Sequence, residues 1–197
     1  PTQLRMPFIL YDRAPWFGCA CCPSNVCRFI PSIPGYIYAF DKSTIYLNLY
    51  IRNESEIDFN GSKTKITQTT DYPWKGKIAV TINPSEIKNF SVALRIPGWA
   101  KGEVVPGDLY HFLPDENPPY SITVNGVPAK YVLKNGYAVI ANIWKTGDQI
   151  ELMLPMPVKK VVANPQVLAD RDRVALQRGP LVYCLEGPDN KDGHVLN

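Results

Sequence analysis

Four of the five cysteines in this 197-residue chain fall within nine positions, in the stretch WFGCACCPSNVCRF from Trp16 to Phe29. The fifth, Cys184, lies far away in sequence. A thiolate is the form of cysteine that binds metal or attacks carbon. Cys21 and Cys22 are adjacent, and a disulfide between neighbours is strained because they seldom offer the geometry the bond demands. An odd cysteine count also leaves at least one thiol unpaired or held by metal. The cluster therefore reads as metal-binding or reactive, with a buried, reduced cluster that only packs as the alternative. Zinc is the natural partner for several thiolates. Structural zinc sites draw their ligands as separated pairs, whereas the spacing here is Cys-x-Cys-Cys-x4-Cys. Four thiols from one short segment would be strained, so two are expected to bind and other ligands to come from elsewhere.

The elements around the cluster must hold it. PSNVCRFI, Pro23 to Ile30, predicts a short helix with Pro23 in its first turn and Val26, Phe29 and Ile30 as an apolar stripe. Cys21 and Cys22 then sit just ahead of a helix start, where unpaired backbone N–H groups favour negative charge. Thiolates are thus favoured without histidine, and neither His111 nor His194 is near in sequence. Cys27 is expected to face packing. From Tyr36 onward the signal is β. STIYLNLYI, KTKITQTT, GKIAVTI and NFSVALRI read as strands with period-two character, the last stopped by Pro97-Gly98. Asn125-Gly126 and Asn135-Gly136 each sit between β-prone runs and supply the positive φ angles of tight hairpins. DQIELMLPMPVKKVV and RVALQRGPLVYCLE continue the pattern. Residues 100–119 lack periodicity and read as a long surface loop. The whole is mainly β, an antiparallel sandwich with turn signals at sandwich-like spacing.

Composition sets outer limits. At 45% hydrophobic and 20% charged the chain is ordinary globular protein able to bury a core, and its 19 prolines favour short strands over long helices. The net charge of +3 comes without a basic run, so nucleic acid is not an expected partner. The densest pair, Lys159-Lys160, reads as a solvated strand end. No apolar run reaches membrane-spanning length, so a soluble chain is expected. It starts at Pro1 with no visible signal peptide, which suggests a fragment of a longer protein whose compartment is not readable from its ends.

Other residues could do chemistry. Glu54, Glu56 and Asp58 alternate on one strand face, which reads as a solvated surface, as does Asp115-Glu116 in the long loop. Asp170 to Arg173 reads as a turn with local ion pairs of little weight. Tyr46, Tyr50, Tyr72, Trp74 and Trp99 could stack on sugars, but strand aromatics more often pack on each other.

Three stretches carry a resemblance. PWFGCACCPSNVCRFIPSIPGYIYA, ALRIPGWA and VALQRGPLVYCLEG resemble, in order, signatures of glycoside hydrolase family 127, the β-L-arabinofuranosidase type. The resemblance implies a large enzyme with an (α/α)6-barrel catalytic domain followed by β-sandwich domains. This chain would keep a short helical remnant of the barrel over 1–35 and a jelly-roll-like sandwich over 36–165. Residues 166–197 would complete that sandwich or begin a second β domain. The resemblance implies zinc held by Cys21 and Cys22 together with a Glu and a Cys from an earlier segment. Cys21 would be the nucleophile of a retaining glycosidase, and Cys19 a neighbour of the site. The acid/base Glu would lie upstream. The eighteen residues ahead of Cys19 contain no Glu, so the isolated chain is expected to be inactive and to bind zinc weakly. The implied partner is an arabinofuranosyl-type glycan, and the implied parent is secreted or periplasmic. Self-association through apolar surface left by the missing barrel is also expected. Two rival readings are a free-standing carbohydrate-binding sandwich and a small structural zinc protein.

Overall fold

A computed structural model describes residues 21–59 and 61–190. Helical segments come first: α1 (Cys21–Phe29), a 3-10 turn (Ile30–Ser32) and α2 (Pro34–Ile37). Two sheets then enclose one core. The first has the order β1 (Tyr38–Phe40), β2 (Thr44–Leu47), β6 (Lys88–Arg95), β11 (Tyr137–Trp144), β10 (Val132–Lys134). Its pairings are antiparallel except β2 on β6, which is parallel. The second has the order β3 (Asn53–Phe59), β4 (Ser62–Thr70), β5 (Lys77–Pro84), β12 (Asp148–Met153), β8 (Ser121–Val124), β9 (Val127–Pro128), antiparallel throughout. The sandwich expected from the strand pattern is therefore present.

Alternation decides which side of each strand faces in. On β5, Ile78, Val80 and Ile82 are fully buried, and on β12 Ile150 and Leu152 meet them across the same face. The first sheet answers with Ile45, Leu47, Phe90, Val92, Leu94 and Trp144. Phe59, Phe90 and Trp144 form a chain of tilted ring contacts, and the Trp144 indole donates to the Phe90 carbonyl at 3.0 Å. The inward row of β4 is largely polar: Thr64 and Gln68 are fully buried beside Ile66. Gln68 Nε2 donates to the Tyr38 hydroxyl at 3.0 Å and to the Leu49 carbonyl at 3.2 Å. A side chain on the second sheet is thereby bonded to the strand that leads out of the helical segment.

Both Asn-Gly hairpins form as read, with φ of 51° and 80° at Asn125 and Gly126 and of 51° and 82° at Asn135 and Gly136. Gly76 is fixed by a close approach. A Cβ there would lie 1.8 Å from the Leu154 carbonyl oxygen, while Leu154 N–H bonds the Gly76 carbonyl.

A third sheet differs from expectation. Its order is β15 (Leu181–Tyr183), β14 (Val174–Arg178), β13 (Val158–Ala163), β7 (Tyr110–Leu113). Residues 110–113, read as part of a surface loop, form its edge strand because their partner is Lys160–Ala163, some fifty residues later. No local periodicity signals so distant a pairing. The reading of Lys159 is also corrected. Its residue is only 9% exposed; the ammonium donates to Asn117 Oδ1 at 3.0 Å and lies 4.6 Å from the centre of the Phe112 ring. Asn117 in turn donates to the Ala100 carbonyl at 2.7 Å, so Lys159 ties the third sheet to the segment following β6. No helix among the described residues is long and apolar enough to cross a membrane.

Two outcomes follow from this packing. Trp144→Ala removes a fully buried ring and its hydrogen bond, and is expected to cost about 3–5 kcal/mol in urea unfolding, whereas Val127→Ala at an exposed position stays within about 0.5 kcal/mol. Burial lowers Lys159 below the ordinary lysine value of 10.5, against an opposing pull from Asp115. In the alkaline window just below 10.5 the unfolded chain holds a proton that the folded chain has lost, so this group makes stability rise with pH there. Subtracting the stability–pH curve of Lys159→Met from that of the unaltered chain should leave this rise; a flat difference would contradict it.

Candidate functional site

The helix that carries the thiols starts earlier than its sequence signals. Pro23 occupies the third position of α1, so Cys21 and Cys22 form its first turn and do not precede it. Ser24 Oγ donates to the Cys21 carbonyl at 3.0 Å, and Arg28 bonds the side-chain oxygen of Asn25 one turn earlier. Beyond Phe29 the chain tightens into the 3-10 turn, where Ser32 Oγ donates to the Phe29 carbonyl at 2.7 Å. It reaches the sandwich at Ile37, which is buried, and at Tyr38, whose hydroxyl donates to Asn53 Oδ1 at 2.9 Å. The Ile37 carbonyl accepts the Asn48 N–H at 2.9 Å. The site is therefore attached to the sandwich through residues 37 and 38.

No residue of α1 is buried. The expected stripe of Val26, Phe29 and Ile30 exists on the helix, but all three side chains are more than half exposed. Cys27, expected to pack, is exposed with them, as are Cys21, Cys22 and Cys184. The alternative of a buried, merely packing cluster does not describe Cys21, Cys22 and Cys27. Cys19 lies outside the described residues, as does His194. His111 lies on β7, an edge strand of the third sheet.

The two vicinal sulfurs stand 3.8 Å apart. Two thiolates on one tetrahedral zinc, each at about 2.3 Å, are separated by about 3.8 Å. The pair thus fits two of the four corners of a zinc site. Among the described residues no cluster of three or more His, Cys, Asp or Glu side chains is placed to hold a metal. The remaining corners are not supplied by the described part of the chain.

The other candidates separate. Glu54, Glu56 and Asp58 are on the exposed face of β3. Glu54 pairs with Lys65 at 2.7 Å and Glu56 with Lys63 at 2.6 Å. Exposed pairs of this kind contribute about 0–1 kcal/mol, and the face is solvated as read. Asp170 accepts the Tyr110 hydroxyl at 2.8 Å, joining the turn to β7. The five aromatics do not make one platform. Tyr46 meets Tyr137 edge to face and bonds Asp41, while Trp74 is 67% exposed. Tyr50 is buried and stacks edge to face on Tyr72; its hydroxyl donates to the Arg95 carbonyl at 2.6 Å. Burial raises both phenols, holding them protonated. Tyr50, Tyr72 and Trp99 line a cleft of about 640 Å³ together with Arg95, Val105 and Gln177. Arg95 and Gln177 carried no sequence signal of their own, because the cleft joins β6 to β14 across the chain.

Comparison with known proteins supplies the remaining finding. The family model described as β-L-arabinofuranosidase, GH127 middle domain, matches residues 44–156, and that described as glycoside hydrolase family 127 C-terminal domain matches 158–196. The boundary falls where the chain enters β13. The non-reducing end β-L-arabinofuranosidase of Bifidobacterium longum subsp. longum is 38% identical over 189 residues, covering 92% of this chain and 26% of that protein. Among solved structures, a GH127 β-arabinofuranosidase is similar with 48% identity and a TM-score of 0.85, over 92% of this chain and 28% of that one. A GH127 β-L-arabinofuranosidase from Geobacillus stearothermophilus T6 is similar with 40% identity and a TM-score of 0.73, over 86% and 24%. The chain spans about a quarter of the length of these relatives.

The exposure of the thiols has a direct consequence. Cys21, Cys22, Cys27 and Cys184 should all react with a bulky thiol reagent in the native chain without denaturant. Quantified peptide by peptide, a cysteine of these four that reacts only after unfolding would contradict the arrangement.

Proposed function

The chain belongs to glycoside hydrolase family 127, and from that premise we propose that it contributes the sulfur nucleophile of a retaining glycosidase acting on β-L-arabinofuranosides. The substrate class follows the names of the relatives. The observation that carries the reading is the pair of exposed sulfurs 3.8 Å apart in the first turn of α1. Cys21 is the nucleophile and Cys22 its companion ligand. Zinc, when bound by the two, keeps the sulfur deprotonated at neutral pH. The Cys21 sulfur attacks the anomeric carbon, and a carbon–sulfur bond forms as the bond to the leaving oxygen breaks. Water then displaces the sulfur at the same carbon, and two inversions give net retention.

A general acid must protonate the leaving oxygen in the first step and accept a proton from water in the second. Among the described residues no carboxylate joins the two sulfurs in a cluster, and residues 1–20 contain no Glu. This supports the proposal that the chain by itself does not turn over and holds zinc weakly. The sandwich acts on the site mechanically: Ile37 and Tyr38 fix the base from which α1 extends.

Zinc protection tests the reading without relying on catalysis. The chain is alkylated in rising zinc and each cysteine is quantified by mass spectrometry. Cys21 and Cys22 should slow together, by about tenfold at saturation, while Cys27 and Cys184 keep their rates. Cys22→Ser should remove the protection of Cys21. Equal protection of Cys27, or none at Cys21, would overturn the assignment, as would hydrolysis of a β-L-arabinofuranoside by the purified Cys21→Ala chain.

A further inference from the structure

Two turns of this fold share a dipeptide and a backbone conformation but not their surroundings. Asn125-Gly126 joins β8 to β9 and Asn135-Gly136 joins β10 to β11, with φ angles that agree within 2°. Both asparagines are exposed. An Asn-Gly pair is chemically special because glycine carries no side chain to shield its own nitrogen. That nitrogen can reach the side-chain carbonyl carbon of the asparagine.

We propose that Asn135 is a site of self-modification in the folded chain, converting to aspartate and isoaspartate, while Asn125 is protected by its neighbours. In this reaction the Gly136 nitrogen bonds to Asn135 Cγ. The bond from Cγ to the side-chain nitrogen breaks, and that nitrogen leaves as ammonia with the glycine's proton. A five-membered succinimide remains. One water then opens either of its carbonyls, giving aspartate or isoaspartate. The balance is one water consumed and one ammonia released, with no redox change.

The contrast between the turns has two parts. Asn125 is held at both ends of its amide: Nδ2 donates to Asp148 Oδ1 at 2.9 Å, and Oδ1 accepts the Gln149 N–H at 2.8 Å. Cyclisation at 125 must break both bonds. The exposed Asn135 side chain makes no hydrogen bond among the described residues, so no such bond must break before its amide meets the Gly136 nitrogen. The electrostatics run the same way. Attack places negative charge on the side-chain oxygen, and the product is a carboxylate. At 125 that charge develops beside the carboxylate of Asp148, which is only 4% exposed. Asn135 instead shares a shallow depression with Arg95 and Lys101, the latter paired with Glu103 at 3.0 Å. A carboxylate at 135 thus gains cationic neighbours, where one at 125 would lose a donor and face a buried anion.

The modification would not be silent. The Gly136 carbonyl accepts the Ile96 N–H at 2.8 Å, at the end of β6. Isoaspartate lengthens the turn backbone by one carbon and so acts on that bond. The new negative charge also lowers the chain's formal charge from +3 to +2, one unit per converted site.

The test uses the intact chain, incubated in mildly alkaline buffer at physiological temperature, then digested and mapped by mass spectrometry. Isoaspartate is scored with an isoaspartyl methyltransferase. Conversion at 135 should exceed that at 125 by at least about tenfold, the weight of two lost hydrogen bonds. In urea the difference should collapse, since it arises from the fold. Asn60-Gly61 is a third such pair; Asn60 is outside the described residues, and the comparison is between 125 and 135 alone. Equal rates in the folded chain, faster conversion at 125, or a difference that persists in urea would each overturn the proposal. So would an unchanged 135 over a time in which the unfolded chain converts.

Discussion

One contact between the sheets governs where the cysteine-bearing end of this molecule can be. Gln68, fully enclosed on β4, donates to the Tyr38 hydroxyl, which donates onward to Asn53. A buried amide or hydroxyl left without a partner costs about 1–3 kcal/mol, which favours the Gln68 Nε2–Tyr38 bond, although Gln68 Oε1 has no partner among the described residues. Their meeting pins the first residue of β1 between the two sheets. Ile37, buried just before it, adds an apolar anchor. The described residues ahead of that anchor, from Cys21 to Tyr36 and including both vicinal sulfurs, are mostly exposed helical turns extending from a fixed base. The sandwich need not touch the sulfurs to set their direction.

The same logic explains the contrast between core and site. Where two faces meet, apolar side chains alternate inward and the structure is closed. Where α1 stands, the apolar positions are present but open to solvent. An amphipathic helix with no buried residue has not met the surface its stripe implies. This agrees with a chain that spans about a quarter of its relatives' length. It also agrees with a sulfur pair shaped for a metal but short of ligands. The proposed nucleophile and the fold that supports it belong to one piece of chain; the groups that would complete the chemistry are not among the residues described.

Much of this was legible in the sequence, for identifiable reasons. Strand alternation and the Asn-Gly turns are local signals, so β4, β5, β6 and the two hairpins were readable from a few residues each. That Cys21 and Cys22 form no disulfide with each other was legible because neighbours seldom offer the geometry the bond demands. What escaped reading depended on distant partners. β7 has two β-prone residues, Tyr110 and Phe112, in a segment of prolines and glycines, and becomes a strand only because β13 lies beside it. Lys159 looked like a solvated strand end, yet Phe112 and Asn117 enclose it from another part of the chain. The aromatic residues split between the core, the surface and one cleft because strand parity does not show which sheet lies opposite. Cys27 was expected to pack, and is exposed because the helix that bears it has no described neighbour to pack on.

The proposed chemistry requires Cys21 and Cys22 to be two ligands of one metal ion. X-ray absorption at the zinc edge of the zinc-loaded chain reads this directly. Two sulfurs at about 2.3 Å are expected around the zinc, the remaining ligands being lighter atoms. A shell without sulfur, or one with three or four sulfurs drawn from Cys27 or Cys184, would contradict it.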